Sequence, residues 1–218
     1  MKDISVSLKL VESNGAIQKM IKREMAKRLN KSFVGGFAGK LRDQIKTAAI
    51  EWLMESPELR AVAYGPLKGD FGIPKGQAVS EADKIIDAVL RSIHVEIIPF
   101  DNRLRGGLEI RIQPTDFQNI FARIDPVITE KGERLDWVRW LLERGDDIVV
   151  AKYHVVPDSS GRSRSGDALM SQGGMFRVRP AYSGTLEDNA ITRVFKGKGP
   201  ELAKMIHSHF GSGPSLGS

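Results

Sequence analysis

Apolar positions along this chain recur first at helical spacing and later at strand spacing. From Asn14 onward, Ile17, Met20, Ile21, Met25 and Leu29 share one face of a helix, while most of the lysines and arginines fall elsewhere around it. Phe37, Leu41, Ile45, Ala48, Ala49, Trp52 and Leu53 repeat the pattern, so a second helix is expected to end near Glu55, with Gly35 and Gly36 at the break. Two amphipathic helices joined by a short glycine link read as a helical hairpin over about 14–55. Ahead of them, Ile4, Val6, Leu8 and Leu10 alternate as in a half-buried strand, although so short a terminal segment equally suits a mobile arm.

Ser56-Pro57-Glu58 predicts a short helix, with Ser56 as cap, Pro57 supplying a preset φ and Glu58 at the positive helix end. The glycines and prolines between Gly65 and Pro74 predict a structured loop, anchored by Leu67, Phe71 and Ile73 against the body or a neighbour. Ser80 to Asp83 resembles a capping box, and Ile85, Ile86, Val89, Leu90 and Ile93 form the clearest apolar stripe in the chain. Val95, Ile97 and Ile98 predict a strand, the loop from Asp101 to Gly107 reverses direction, and Leu108, Ile110 and Ile112 form its hairpin partner. Pro114 ends it, and a short helix over about Asp116 to Arg123 follows.

Asp136 is positioned to cap a helix carrying Trp137 and Trp140, with Gly145 placed for a left-handed exit. The β-branched run Ile148 to Val156 predicts a strand central to a sheet, and Phe176 and Val178 a further strand after a turn or bulge at Gly173-Gly174. Thr185 to Asp188 then caps a helix with Ile191, Val194 and Phe195, and Pro200 opens a last one with Leu202, Met205 and Ile206. The order implies an α+β fold, with the helical hairpin and further helices packed on a mixed or antiparallel sheet. One domain over 1–210 is expected, its sheet-containing body at about 80–210, followed by a disordered tail at 211–218.

Composition changes this picture in three ways. The absence of cysteine removes disulfides and thiolate metal sites, leaving packing or partner subunits to supply stability. No segment resembles a secretory signal or a membrane span, so a soluble protein is expected. The net charge of +6 is concentrated between Lys19 and Lys46, where nine basic residues face only Glu24 and Asp43. Lys19, Lys22, Arg23 and Lys27 therefore form either a footprint for nucleic acid or an acidic neighbour, or a solvated helical face.

Candidate chemistry is sparse. His207 and His209 are two apart and cannot share a helix face, while His94 and His154 fall at strand positions that suit hydrogen-bonded structural roles. Ser165 lacks a nucleophile elbow, Gly161 to Gly166 lacks the Gly-Lys-Ser/Thr ending of a phosphate cradle, and Gly197-Lys198-Gly199 is no closer. The pairs Asp146-Asp147 and Glu187-Asp188 read as caps or solvated charge. This reading assigns no enzymatic activity, metal or cofactor. Arg162 and Arg164 in a Gly/Ser loop, with Lys196 and Lys198 downstream, are candidates to meet phosphates or carboxylates, and the alternative is an exposed flexible loop. Trp137 and Trp140 belong either to the core or to a subunit interface.

Several blocks carry a resemblance: LNKSF (Leu29 to Phe33), WLMESPELRAVAYGPLKGDFGIP (Trp52 to Pro74), DWVRWLLERG (Asp136 to Gly145), GRSRSGDALM (Gly161 to Met170) and SGTLEDNAITRVF (Ser183 to Phe195). They resemble virion structural proteins of tailed bacteriophages, of the neck or tail-completion group that includes head-tail joining and tail-terminator proteins. The resemblance implies a homo-oligomeric ring made in the host cytoplasm and built into the virion between portal or connector proteins and the tail tube or sheath. Genome DNA would pass through its lumen, with the Arg162 and Arg164 loop reaching a neighbour or the channel. It implies no membrane partner. Trp137, Trp140, Leu67 and Phe71 are the apolar interface candidates. A sequence-nonspecific nucleic-acid-binding protein using the Lys19 to Lys46 helices is the alternative.

Overall fold

A computed structural model describes residues 13–33, 36–112, 117–128, 132, 134–157, 163, 165–166 and 168–211. The alternating segment Ile4 to Leu10, Asp116, Arg162, Arg164 and the tail beyond Gly211 lie outside the described residues.

The fold is α+β. Two long helices open it, α1 (Asn14–Phe33) and α2 (Phe37–Met54), with Gly36 between them in a left-handed conformation at φ 89°. The apolar face of α2 is buried through Leu41, Ile45, Ala49, Trp52 and Leu53. That of α1 is not. Only Ala26 and Phe33 of its described side chains are buried, Phe33 against the rings of Phe37 and Phe100, while Met20, Ile21 and Met25 are each about half exposed.

Two short helices and a longer one open the main core. Helix α3 (Pro57–Ala63) starts as its sequence predicts, the Ser56 hydroxyl accepting the Leu59 N–H at 3.4 Å with Pro57 in the first turn. Inside the glycine-rich loop lies a single turn, α4 (Leu67–Asp70), whose Leu67, together with Phe71 and Ile73, is buried in the body. Helix α5 (Ala78–Ser92) buries Ala82, Ile85, Ala88 and Val89. The expected capping box at Ser80 does not form. The Gln77 carbonyl already accepts the Glu81 N–H at 2.9 Å, so the turn after Pro74 runs directly into the helix and Ser80 sits within it.

Strands β1 (His94–Ile98) and β2 (Gly107–Arg111) form the expected hairpin, with Val95 opposite Ile110 and Ile97 opposite Leu108. The helix expected near Asp116 is the single turn α6 (Gln118–Phe121), followed by the two-residue pair β3 (Val127–Ile128) and β4 (Arg134–Leu135). Helix α7 (Val138–Leu142) is not capped by Asp136, whose carboxylate instead accepts from Arg134 Nε at 2.8 Å. Its far end is closed from outside: the Trp140 carbonyl takes the Gly184 N–H at 3.1 Å and the Leu142 carbonyl takes Asn189 Nδ2 at 3.3 Å. Gly145 does exit left-handed, at φ 58°.

The largest departure concerns β5 (Ile148–Pro157) and β6 (Ala168–Arg177). Rather than joining one central sheet, among the described residues they pair only with each other, and the described strands form three separate antiparallel pairs. An apolar β-branched run states that a strand is buried somewhere, not that other strands of its own chain bury it. Lys152 at φ 66° and the Gly173-Gly174 pair lie at the expected bulge, where the register shifts between Ala151 and Tyr153. Helix α8 (Ala190–Phe195) is capped by Asn189, not by Thr185 to Asp188 as expected. The Asn189 Oδ1 accepts from Ile191 and Thr192, whereas Thr185 Oγ1 closes a separate turn onto the Asp188 N–H. Helix α9 (Gly199–Gly211) carries Pro200 in its first turn, close to the predicted start.

Two apolar clusters result. The larger joins α3 to α8 around Phe71, Trp137 and Ile191. The second joins α2, β1 and α9, and Val194 and Phe195 touch both.

Candidate interaction surfaces

Two elements leave the body with their apolar sides uncovered. The first is α1. Lys19, Arg23, Lys27 and Lys31 recur every fourth residue and so form one ridge, while Ile17, Ile21, Met25, Leu29 and Phe33 form another on the far side. The apolar ridge is docked at one end through Phe33. The Asn30 side chain pins that end as well, accepting the Phe100 N–H at 2.8 Å and donating to its carbonyl at 3.0 Å. Toward the N-terminus Ile21 and Met25 of this ridge are about half exposed. The predicted Lys19, Lys22, Arg23 and Lys27 are all exposed on this free part.

The second is the β5–β6 ribbon. At about 3.3 Å per residue its ten-residue strands extend roughly 30 Å. No described side chain of either strand is buried. Met170 and Met175 are 54% and 59% exposed, and Ile148 and Val156 are also open. The ribbon meets the body at α4. There Arg179 Nε lies 3.2 Å from Asp70 Oδ2, and Arg177 closes the strand base onto the Asp146 carbonyl at 3.0 Å. Burial raises the Asp70 pKa above its ordinary value, with Arg179 pulling the other way.

The remaining predicted residues separate sharply. Lys196 is exposed, but Lys198 is engaged, bonded to Glu201 at 3.0 Å and lying over the Trp52 ring at 4.9 Å. The four apolar interface candidates are corrected: Leu67, Phe71, Trp137 and Trp140 are core residues of this chain, with Phe71 and Trp137 stacked at a tilt 5.3 Å apart. A five-residue helix wedged under the 184–189 segment turns both indoles inward. Ser165 is buried, its hydroxyl 3.3 Å from that of Ser163. His154 Nδ1 is 2.8 Å from the Gly173 carbonyl, across the bulge. Among the described residues no cluster of histidine and acidic side chains has metal-ligand proximity, and no helix is long and apolar enough to cross a membrane.

Sequence reasoning did not find one of the most connected polar side chains among the described residues. Arg193 on α8 bonds Glu58 Oε1 at 3.0 Å, Asp188 through Nε and Nη2 at 3.1 and 3.0 Å, and the Ser183 carbonyl at 3.0 Å. These bonds hold the Asp188 carboxyl below its ordinary pKa. Glu58 is buried and also accepts from the Ser56 hydroxyl at 2.9 Å. Its partner lies 135 residues away, and no local pattern signals so distant a pairing.

No protein-family model, curated protein or solved structure matches this chain.

Proposed function

We propose that this chain is a structural subunit of a tailed-phage virion that assembles as an oligomeric ring in the neck, as a head-tail connector, tail-completion or tail-terminator protein, with DNA passing through. The observation that carries the reading is the β5–β6 ribbon. A two-stranded ribbon is marginal in water by itself, and third strands or a packed face are what stabilise one. Here two apolar-rich strands have no third strand among the described residues, and none of their described side chains is buried. A neighbouring copy supplies what is missing, and because ribbon and body differ, each contact joins unlike surfaces, the type of interface that closes rings. The sequence blocks quoted above provide the phage setting, with portal or connector proteins on one side and tail tube or sheath on the other. The role in this reading is structural rather than enzymatic.

Mass spectrometry of purified particles tests it: the protein is expected as a stoichiometric virion component, and particles free of it overturn the proposal. Particles assembled without the protein are expected to be heads lacking tails, or to carry tails of abnormal length. The basic ridge of α1 favours a second reading, a free nucleic-acid-binding protein. That reading requires submicromolar binding to duplex DNA that weakens steeply in a salt series.

A further inference from the structure

Two register shifts divide the β5–β6 ribbon, between Ile148 and Val150 and between Ala151 and Tyr153. Beyond the second, 153–157 pairs with 168–172 without interruption, Tyr153 opposite Gln172, Val155 opposite Met170 and Pro157 opposite Ala168. Among the described residues no further strand lies beside either rim, and 168–172 makes no backbone bond other than to β5. In an antiparallel pair, alternate residues turn their N–H and C=O away from the partner, so the outer rim of β6 presents a row of them.

The two rims are unlike. On β5, Lys152 stands at φ 66° and Pro157 has no N–H. A lysine, a break in the regular path and a proline are devices by which an edge strand refuses a further strand. On β6, Ala168, Leu169, Met170, Ser171 and Gln172 include neither charge nor proline, so this rim is open to pairing. Tyr153, Val155 and Met170 share one face of this half, and Met170 is its most exposed apolar side chain; His154, Ser171, Val156 and Leu169 share the other.

One segment of this chain has the pattern of a matching strand. In 4–10, outside the described residues, Ile4, Val6, Leu8 and Leu10 alternate with Ser5, Ser7 and Lys9. Seven extended residues span about 23 Å, enough to cover the roughly 17 Å of 168–172. Helix α1, which follows the segment, is docked through its second half, at Ala26, Asn30 and Phe33. Every residue from 18 to 25 is exposed, so its first half stands clear of its own body and leads 4–10 toward a neighbour.

We infer that 4–10 of one copy adds as a third strand to the β6 rim of the next, with Ile4, Val6 and Leu8 on the face of Met170, Val155 and Tyr153, and Ser5 and Ser7 on the face of His154 and Ser171. Main-chain bonds hold the added strand, and its alternation fixes which face it turns to Met170. Segment and rim are different surfaces, so each copy gives one and receives one, the head-to-tail arrangement that closes rings. That copies meet rests on the assembly reading above; which segment meets which rim rests on pattern and register.

The test uses the full chain, which contains no cysteine, as single-cysteine variants. Met170→Cys is mixed in turn with Ile4→Cys, Val6→Cys, Leu8→Cys, Ser5→Cys and Ser7→Cys and oxidised with copper phenanthroline. Disulfide-linked heterodimer is identified by mass spectrometry, and an unchanged Tm of each variant is the evidence of folding. Neighbouring strands lie about 4.8 Å apart, within the Cα separation a disulfide spans, whereas a slip of two residues opens this to about 8 Å, outside it. The expected result is heterodimer with one of Ile4→Cys, Val6→Cys and Leu8→Cys, and none with Ser5→Cys or Ser7→Cys, whose side chains point to the other face. No heterodimer, heterodimer through the serine positions, or equal yield at all five overturns the proposal. Heterodimer from a protein absent from virions overturns the ring reading and leaves the strand addition standing; no heterodimer from a protein present in virions does the reverse.

Discussion

Replacing Arg193 with methionine should be among the most damaging single changes on the surface of this fold. The substitution keeps the aliphatic stem but leaves Glu58 Oε1 facing an apolar side chain, while the Ser56 hydroxyl still donates to Oε2. Removing one member of a buried pair typically costs ~3–5 kcal/mol, because the surviving charge stays desolvated. Arg193 is itself 29% exposed, so water can enter beside Glu58 and the lower end, about 3 kcal/mol, applies. For a chain of this size each 1 kcal/mol shifts Tm by ~2–4 °C, giving a fall of ~6–12 °C. Equilibrium urea unfolding, followed by tryptophan fluorescence and far-UV circular dichroism in parallel, gives the free energy directly. The double variant Glu58→Met/Arg193→Met removes both charges and should recover much of the loss, with a coupling energy of about 2 kcal/mol. An Arg193→Met cost below about 0.5 kcal/mol, or strict additivity in the double variant, would refute the idea that this pair ties α3 to α8.

Other outcomes follow from single observations. A Cβ on Gly184 would lie 1.9 Å from the Leu141 carbonyl oxygen, so Gly184→Ala should lose about 3 kcal/mol or more in the same urea assay, and a silent substitution would contradict the close approach. Asp101 accepts the N–H groups of Arg103 and Arg105 and the Arg105 side chain, which holds its pKa at about 2; the backbone and side-chain bonds of Arg105 are the main causes. Since its folded pKa lies below the ordinary 3.8, its contribution is present above that value and is lost as pH falls toward 2; carboxyl ¹³C NMR should find the midpoint there. Asp70 runs the opposite way. Its folded pKa is raised by burial, so stability attributable to it falls as pH rises through that pKa, and Asp70→Asn should flatten this slope without lowering stability at neutral pH.

Apart from α1, the helices and the first hairpin were legible because their apolar residues face a core made by this same chain. The stripe from Ile85 to Ile93, the β1–β2 register and the Ser56 cap depend on neighbours a few residues away. The caps proposed at Ser80, Asp136 and Thr185 failed for a common reason: a residue close by in the chain took the role or the side chain instead. Pro74 started the turn before Ser80, Arg134 took the Asp136 carboxylate, and Asn189 displaced Thr185 while also bonding the end of α7. Arg193 was invisible because its significance lies in Glu58.

Hydrophobic periodicity reports that a face is buried; it does not report in which molecule. Where the pattern and the single chain agree, as at Leu41, Ile85 and Trp137, the burial is internal, and charge placed there should cost stability before it touches assembly. Where they disagree, the assembly reading assigns the cover to a neighbouring subunit. Two segments disagree, the first half of α1 and the β5–β6 ribbon, and both carry exposed methionine, whose flexible thioether side chain packs against irregular partners at low cost. This gives the assembly reading its sharpest test. Met170 and Met175 are more than half exposed, so Met170→Asp and Met175→Asp should change unfolding free energy by no more than about 0.5 kcal/mol, yet abolish incorporation into particles. Phe71→Asp should do the reverse, unfolding the chain because its ring is sealed against Trp137. If the methionine variants enter particles as the parent does, the ribbon is not the joining surface and its apolar run has another cause.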